Sequence, residues 1–248
     1  MTDFLTTAEG RKIGYNRIEG SEPGIVFLGG LRSDMEGTKA LALEQWAKAQ
    51  GKAFLRFDYS GHGVSSGTFE EGAIGDWFED AMAAITTLTS GPQVLVGSSM
   101  GGWVSLLVAR TIPDRVAGLV TIAAAPDFTE DGYWASFNEA TREKLEREGH
   151  IAIPSEYGAP MIITRRLIED GRNRLVLRDP LSLPFPTRLL QGTDDEAVPY
   201  DWAIRLLNHA DCPDLTLTLV RGADHRFSDE DCLKMIERAV ADVLARIP

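Results

Sequence analysis

Cysteine, positive charge and long apolar runs are all scarce in this chain of 248 residues. The only two cysteines, Cys212 and Cys232, have no metal-binding or redox spacing, so neither a disulfide framework nor thiol chemistry is expected. Basic residues are outnumbered, 25 Lys and Arg against 37 Asp and Glu, for a formal charge of −12. That is the wrong sign for tracking phosphates, and nucleic acid is not an expected partner. The longest apolar stretch, residues 117–125, is about nine residues; a bilayer needs roughly 20, so no integral membrane association is expected. Residues 1–15 lack the basic-then-apolar order of a secretory signal and the Arg-rich, acid-poor look of a transit peptide. They read as the start of a cytoplasmic protein.

What is present is ordinary globular material, 44% hydrophobic and 25% charged, at a length near the upper size for one α/β core. Alternating runs at 4–7 and 12–18 predict an opening antiparallel hairpin. Apolar strands then alternate with amphipathic helices: strand 25–28, helix 39–50, strand 53–57, helix 74–88, strand 94–96, helix 101–111, strand 116–124. That order predicts a mostly parallel, doubly wound sheet covered on both faces. The rhythm stops at Pro126 and resumes with strand 187–190, helix 200–208, strand 215–220 and helix 229–246. Between them Trp134, Phe137 and Leu145 lie at helical spacing, and a second helical stretch is expected around 162–168. A structureless insertion of that length is uncommon in a compact domain. The expected division is one domain, with a core at 1–125 and 187–248 and a small helical cap at 126–186.

Gly97-Ser98-Ser99-Met100-Gly101 lies between a buried strand and a helix, the context that a G-x-S-x-G nucleophile elbow requires. Glycine flanks the serine because a Cβ would clash in so sharp a turn, and Ser99 is held strained at its tip with the hydroxyl exposed. Ser98 falls outside the two-glycine frame. The following helix aims backbone N–H groups and the positive end of its dipole at developing negative charge, making Met100 N–H one expected oxyanion donor. The second is expected from Gly29-Gly30-Leu31-Arg32, after strand 25–28, through Leu31 N–H. A serine hydroxyl also needs a base. Of four histidines, His225 sits in the loop between the last strand and the last helix and is the expected base. His62, in Gly61-His62-Gly63, reads as a packed, hydrogen-bonded histidine; His209 is near a helix end and His150 is in the cap. The acid should lie between Ser99 and His225 at a strand end. Asp194 and Asp195 both qualify, and Asp127, after strand 116–124, is a further candidate.

With elbow, acid loop and histidine loop in that order, the chain resembles the α/β-hydrolases of the serine type. Met35-Glu36-Gly37-Thr38-Lys39-Ala40-Leu41-Ala42-Leu43-Glu44, Arg56-Phe57-Asp58-Tyr59-Ser60-Gly61, residues 95–103 and Asp224-His225-Arg226 are similar, within that family, to animal palmitoyl-protein thioesterases that also cleave acyl glucuronides. The resemblance implies an α/β-hydrolase fold and an ester or thioester hydrolase with Ser99 as nucleophile and His225 as base. Reading Gly192 to Pro199 as G-x-x-D-x-x-V-P puts Asp195 where the family carries its acid. No metal and no organic cofactor is implied, and the substrate is a small molecule or an acylated protein. Gly29-Gly30 departs from the His-Gly that many relatives carry there. The cap would shape an acyl pocket, with Trp134, Phe137 and Tyr157 as expected wall residues and Arg32 as the expected partner of a substrate carboxylate.

Overall fold

The computed structural model describes residues 2–154 and 160–247. The opening hairpin forms as the alternation predicts, with β1 (Asp3–Thr6) antiparallel to β2 (Lys12–Ile18). Then come β3 (Ser21–Leu28), α1 (Thr38–Ala49), β4 (Lys52–Phe57), α2 (Ile74–Leu88), β5 (Gln93–Ser98), α3 (Met100–Thr111) and β6 (Val116–Ile122). An insertion follows, holding a π-helical turn at Thr129–Trp134, α4 (Glu139–Glu148), the antiparallel pair β7 (His150–Ile153) and β8 (Met161–Thr164), and α5 (Arg165–Arg172). The chain closes with β9 (Leu181–Ser182), β10 (Thr187–Gly192), α6 (Tyr200–His209), β11 (Ala210–Asp211), β12 (Leu215–Val220) and α7 (Glu230–Arg246).

Eight strands form the main sheet in the order β1-β2-β4-β3-β5-β6-β10-β12. The pairs from β4 through β12 are parallel, and only those made by β2 are antiparallel. The central strands read as unbroken apolar runs because their alternate residues enter two different cores. Leu95 joins Val26, Leu55 and Leu119 on the face covered by Trp77, Ala81 and Ile85 of α2 and by Trp103 and Leu107 of α3. Val94 and Val96 join Ile25, Phe27 and Val120 on the other face, under Leu43 of α1 and Val240 and Val243 of α7. Each such side chain contributes roughly 1.5–3 kcal/mol when fully buried, so polarity on either face would be costly.

The structure corrects the sequence reading in the insertion. Residues 162–168 are not one helix: β8 ends at Thr164, which accepts the Leu167 N–H at 3.1 Å and so caps α5. Ile162, Ile163 and Thr164 are β-branched, and pairing with β7 satisfies their backbone, which outweighs the helical spacing. The insertion is therefore part sheet. Strand β6 also stops short of Ala124, because Ala123 turns to φ +48°. That turn carries the chain off the sheet at the carboxyl ends of the strands, where the loops after β3, β5, β10 and β12 converge.

Candidate active site

The elbow after β5 explains its own composition. Ser99 has φ 54° and ψ −119°, a conformation closed to most L-residues without strain. A Cβ on Gly97 would lie 2.4 Å from Gly101 O, and one on Gly101 would lie 2.1 Å from Leu28 O. Both obstacles are backbone, so neither can move aside. Gly102 is a third obligatory glycine that the motif does not contain, since its Cβ would meet Ala124 Cβ at 2.6 Å. The serine's own backbone is fixed: its N–H donates to Ile122 O at 2.9 Å, and its carbonyl accepts Gly102 N–H at 2.9 Å and Ala125 N–H at 3.1 Å.

The structure brings Ser99, His225 and Asp195 into one file. Ser99 Oγ is 3.0 Å from His225 Nε2, and His225 Nδ1 is 2.8 Å from Asp195 Oδ2. The Asp195 carboxylate is buried and fully engaged. Oδ1 accepts the N–H groups of Ala197 (3.0 Å) and Val198 (2.8 Å), while Oδ2 also accepts Gln191 Nε2 at 2.9 Å. Gln191 was not anticipated from sequence, although a glutamine ending the apolar run of β10 was a signal that a buried polar partner waits nearby. Its amide also donates to Val198 O at 3.0 Å, which fixes its orientation, since the flipped form would set a carbonyl against the carboxylate. The histidine loop is tied down by Lys39, whose ammonium donates to Arg226 O. Burial pushes the Lys39 ammonium down to about 8, against the opposing pull of Asp224 and Asp195.

The other candidates go elsewhere. Asp194 is exposed and accepts from Thr193 Oγ1. Asp127 is fully buried at φ +61° and accepts the N–H groups of Val176 (2.8 Å) and Leu177 (3.0 Å) and Arg178 Nη1 (3.3 Å). Burial raises its carboxyl above the usual range, against those bonds. It ties the start of the insertion to its end. His209 Nε2–H donates to Asp179 O on the surface, and His150 is exposed. His62 is packed and hydrogen-bonded, as its turn suggests.

After β3, Gly30 O accepts Ser33 N–H at 3.1 Å, closing a tight turn over Leu31 and Arg32. Among the described residues no protein acceptor takes the Leu31 N–H, and Met100 N–H, at the first position of α3, has no carbonyl four residues back within the helix. The Arg32 guanidinium is exposed and lies over the Phe69 ring, 5.7 Å from its centroid. Trp134 and Phe137 pack against the same apolar core, but their rings have different neighbours. The guanidinium groups of Arg142 and Arg172 both lie over the Trp134 ring, 5.0 and 4.4 Å from its centroid. Phe137 instead ends a file of rings, Trp103–Phe128–Tyr133–Phe137, that runs from α3 behind the nucleophile into the insertion. Tyr157 lies outside the described residues. Among those described, no cluster of His, Cys, Asp or Glu is arranged to hold a metal, and no helix is long and apolar enough to cross a membrane.

A parallel sheet with a strained serine elbow at the carboxyl end of a central strand is a class-level signature, and residues 25–243 match the alpha/beta hydrolase family. The chain belongs to that family. Within it, the chain is similar to the mitochondrial palmitoyl-protein thioesterase ABHD10 of cattle (Bos taurus), at 34% identity over 98% of this chain and 80% of the relative. The solved structure of alpha/beta hydrolase domain-containing protein 10 from mouse superposes with a TM-score of 0.93 at 32% identity, covering 100% of both chains. A putative hydrolase from Agrobacterium vitis S4 superposes at 0.94 with 37% identity, over 100% of this chain and 99% of its own. The cytoplasmic expectation is overturned by these comparisons: the curated relatives are named as mitochondrial and point to that compartment. Residues 3–6 and 12–18 form the first hairpin of the sheet, so their composition reports strand pairing and not destination.

Proposed function

We propose that the protein hydrolyses carboxylic esters or acyl thioesters through a Ser-His-Asp triad and an acyl-enzyme. The observation that carries this reading is the file from Ser99 Oγ through His225 to Asp195, at 3.0 and 2.8 Å. With its Nδ1–H donated to the carboxylate, His225 presents the Nε2 lone pair to the serine proton. Ser99 Oγ attacks the acyl carbonyl carbon while His225 takes that proton. Collapse of the tetrahedral intermediate breaks the bond to the alcohol or thiol, which leaves with the proton from Nε2. Water then attacks the acyl-enzyme, giving its proton to His225; collapse of the second tetrahedral intermediate breaks the acyl–Oγ bond, His225 returns the proton to Ser99 Oγ, and the acid departs. Leu31 N–H and Met100 N–H hold the oxyanion in both halves, each worth about 2.7–4 kcal/mol to the transition state.

The insertion, residues 126–186, acts in this reading as the cap over the acyl chain. Phe128, Tyr133 and Phe137 offer its apolar wall, and Arg32 meets a charged group on the substrate at the mouth. The relatives named as palmitoyl-protein thioesterases favour acylated protein or small acyl thioesters as the substrate class. A parallel assay of acyl thioesters, aryl esters and acyl glucuronides over a range of chain lengths tests this, with Ser99→Ala as blank and a fluorophosphonate probe as reporter of an activated serine. Turnover of at least one class, with loss of turnover and labelling in Ser99→Ala, is the expected result. Full esterase activity in Ser99→Ala would refute the mechanism.

A further inference from the structure

The turn that carries Leu31 places Arg32 at φ +57°, a position in a tight turn that ordinarily takes glycine or asparagine. Such strain persists only where neighbours hold it. Here the neighbour is His62, whose Nε2 lies 3.1 Å from the Arg32 backbone nitrogen. The ring is itself immobilised. It is 4% exposed and packed edge-on by Tyr59, Phe69 and Trp77 at centroid distances of 5.7, 5.6 and 5.2 Å. Its Nδ1 is 3.1 Å from Ser60 O, an atom that can only accept, so Nδ1 carries the proton and Nε2 the lone pair. Ser60 is fixed in turn by buried Asp80, which accepts its N–H (2.8 Å) and its hydroxyl (2.6 Å), and Asp80 is held by Arg11 Nε at 2.7 Å. A continuous chain of directed bonds thus runs from the opening hairpin to the residue beside the expected oxyanion donor.

We propose that His62 is a positioning residue of the oxyanion turn: its Nε2 holds the Arg32 N–H, keeps the strained turn from relaxing, and so keeps Leu31 N–H aimed at the substrate oxygen. This rests on the hydrolase reading of Ser99, Leu31 and Met100 given above. His62 touches no substrate and exchanges no proton. Its contribution is geometric, because an oxyanion donor is effective only within about 2.7–3.1 Å of the charge that develops. Burial draws the ring below the ordinary histidine range, which keeps it in the neutral form the turn requires.

Two conservative variants separate the ring's two bonds. In His62→Asn the side-chain amide reaches the Nδ1 position and keeps the bond to Ser60 O but offers nothing to Arg32. In His62→Gln the amide oxygen reaches the Nε2 position and accepts the Arg32 N–H. On an acyl thioester or aryl ester turned over by the parent protein, His62→Asn is expected to lower kcat by about 10- to 100-fold, a part of the 100- to 1,000-fold loss that follows removal of a whole donor. KM is expected to stay within about twofold, and His62→Gln to recover most of kcat. A trifluoromethyl ketone, whose hemiketal oxygen mimics the oxyanion, is expected to bind His62→Asn more weakly by the same factor as kcat falls, with affinity for the product acid unchanged. Equal activity in the two variants, or a loss confined to KM, would overturn the proposal. In the unmodified protein, 15N NMR is expected to show His62 as the neutral Nδ1–H tautomer at pH 7, and the opposite tautomer would overturn it without any variant. Retained activity in Ser99→Ala would instead sink the reading of the site as a whole, so the two failures are distinguishable.

Discussion

Strain at Ser99 can be measured by comparing two inactive proteins. Ser99→Ala and Ser99→Gly both remove the hydroxyl and its 3.0 Å contact with His225, so the difference between them isolates the backbone. Alanine still carries a Cβ at φ 54° and ψ −119°, whereas glycine adopts that conformation freely. Holding a non-glycine residue in a sparsely populated region costs about 1–3 kcal/mol. Against this, glycine returns about 0.4–1 kcal/mol of conformational freedom to the unfolded chain, and loss of one partly buried methyl costs at most about 0.8 kcal/mol. The balance is roughly 1 kcal/mol in favour of glycine. For a protein of this size that corresponds to roughly 2–4 °C in Tm. Calorimetric scans of the two variants at one pH and scan rate provide the check. If Ser99→Gly melts clearly below Ser99→Ala, the strain assigned to the Ser99 backbone is refuted.

Three further outcomes follow from the same geometry. Gly101→Ala sets a Cβ 2.1 Å from Leu28 O, so the variant should be insoluble or lose at least about 100-fold in activity through displaced donors; a soluble, fully active Gly101→Ala protein would contradict this. Asp127→Ala strips the acceptor from the buried Val176 and Leu177 N–H groups, at about 1–3 kcal/mol for each donor left unsatisfied. Urea unfolding should show that loss and limited proteolysis should cut within the insertion, and an unchanged midpoint would refute the clamp. Lys39 should titrate near 8 in the native protein, read by NMR of 13C-methylated lysine. Between about pH 8 and its ordinary value of 10.5 the unfolded chain binds this proton and the native one does not, so the Lys39 contribution to stability rises with pH across that window. A native titration at 10.5 would refute the burial assigned to this side chain.

The parts of the site that were legible in sequence are those set by local backbone geometry. Gly97, Ser99 and Gly101 announce a turn because a sharp turn excludes a Cβ whatever the rest of the chain does. His225 is legible because a loop following the last strand of a parallel sheet must lie at the carboxyl edge. The residues that were not legible depend on partners far along the chain. Gln191 looks like a polar interruption until Asp195 turns back against it, and Asp127 reads as a further candidate for the acid until its carboxylate is seen to accept the Val176 and Leu177 N–H groups. The spacing of Trp134 and Phe137 does place both against one apolar core, but that Arg142 and Arg172 lie over the Trp134 ring depends on partners that spacing does not show. The β7–β8 hairpin was missed because a short β-branched run at helical spacing satisfies both patterns, and only its cross-strand partner decides.

The clamp at Asp127 has a consequence for how this family member can vary. Asp127 and Val176 are 49 residues apart in the chain, yet one carboxylate joins them. The carboxylate thus draws the two ends of the excursion together, while between them Asp170 accepts Gly75 N–H at 2.7 Å, Arg166 pairs with Asp76 and Arg174 O accepts Trp103 Nε1–H at 3.1 Å, so that the excursion is also bonded to α2 and α3. The frame of Ser99, by contrast, is set by backbone contacts with β3 and β6, at Leu28 O and Ile122 O, and so depends little on which side chains the excursion carries.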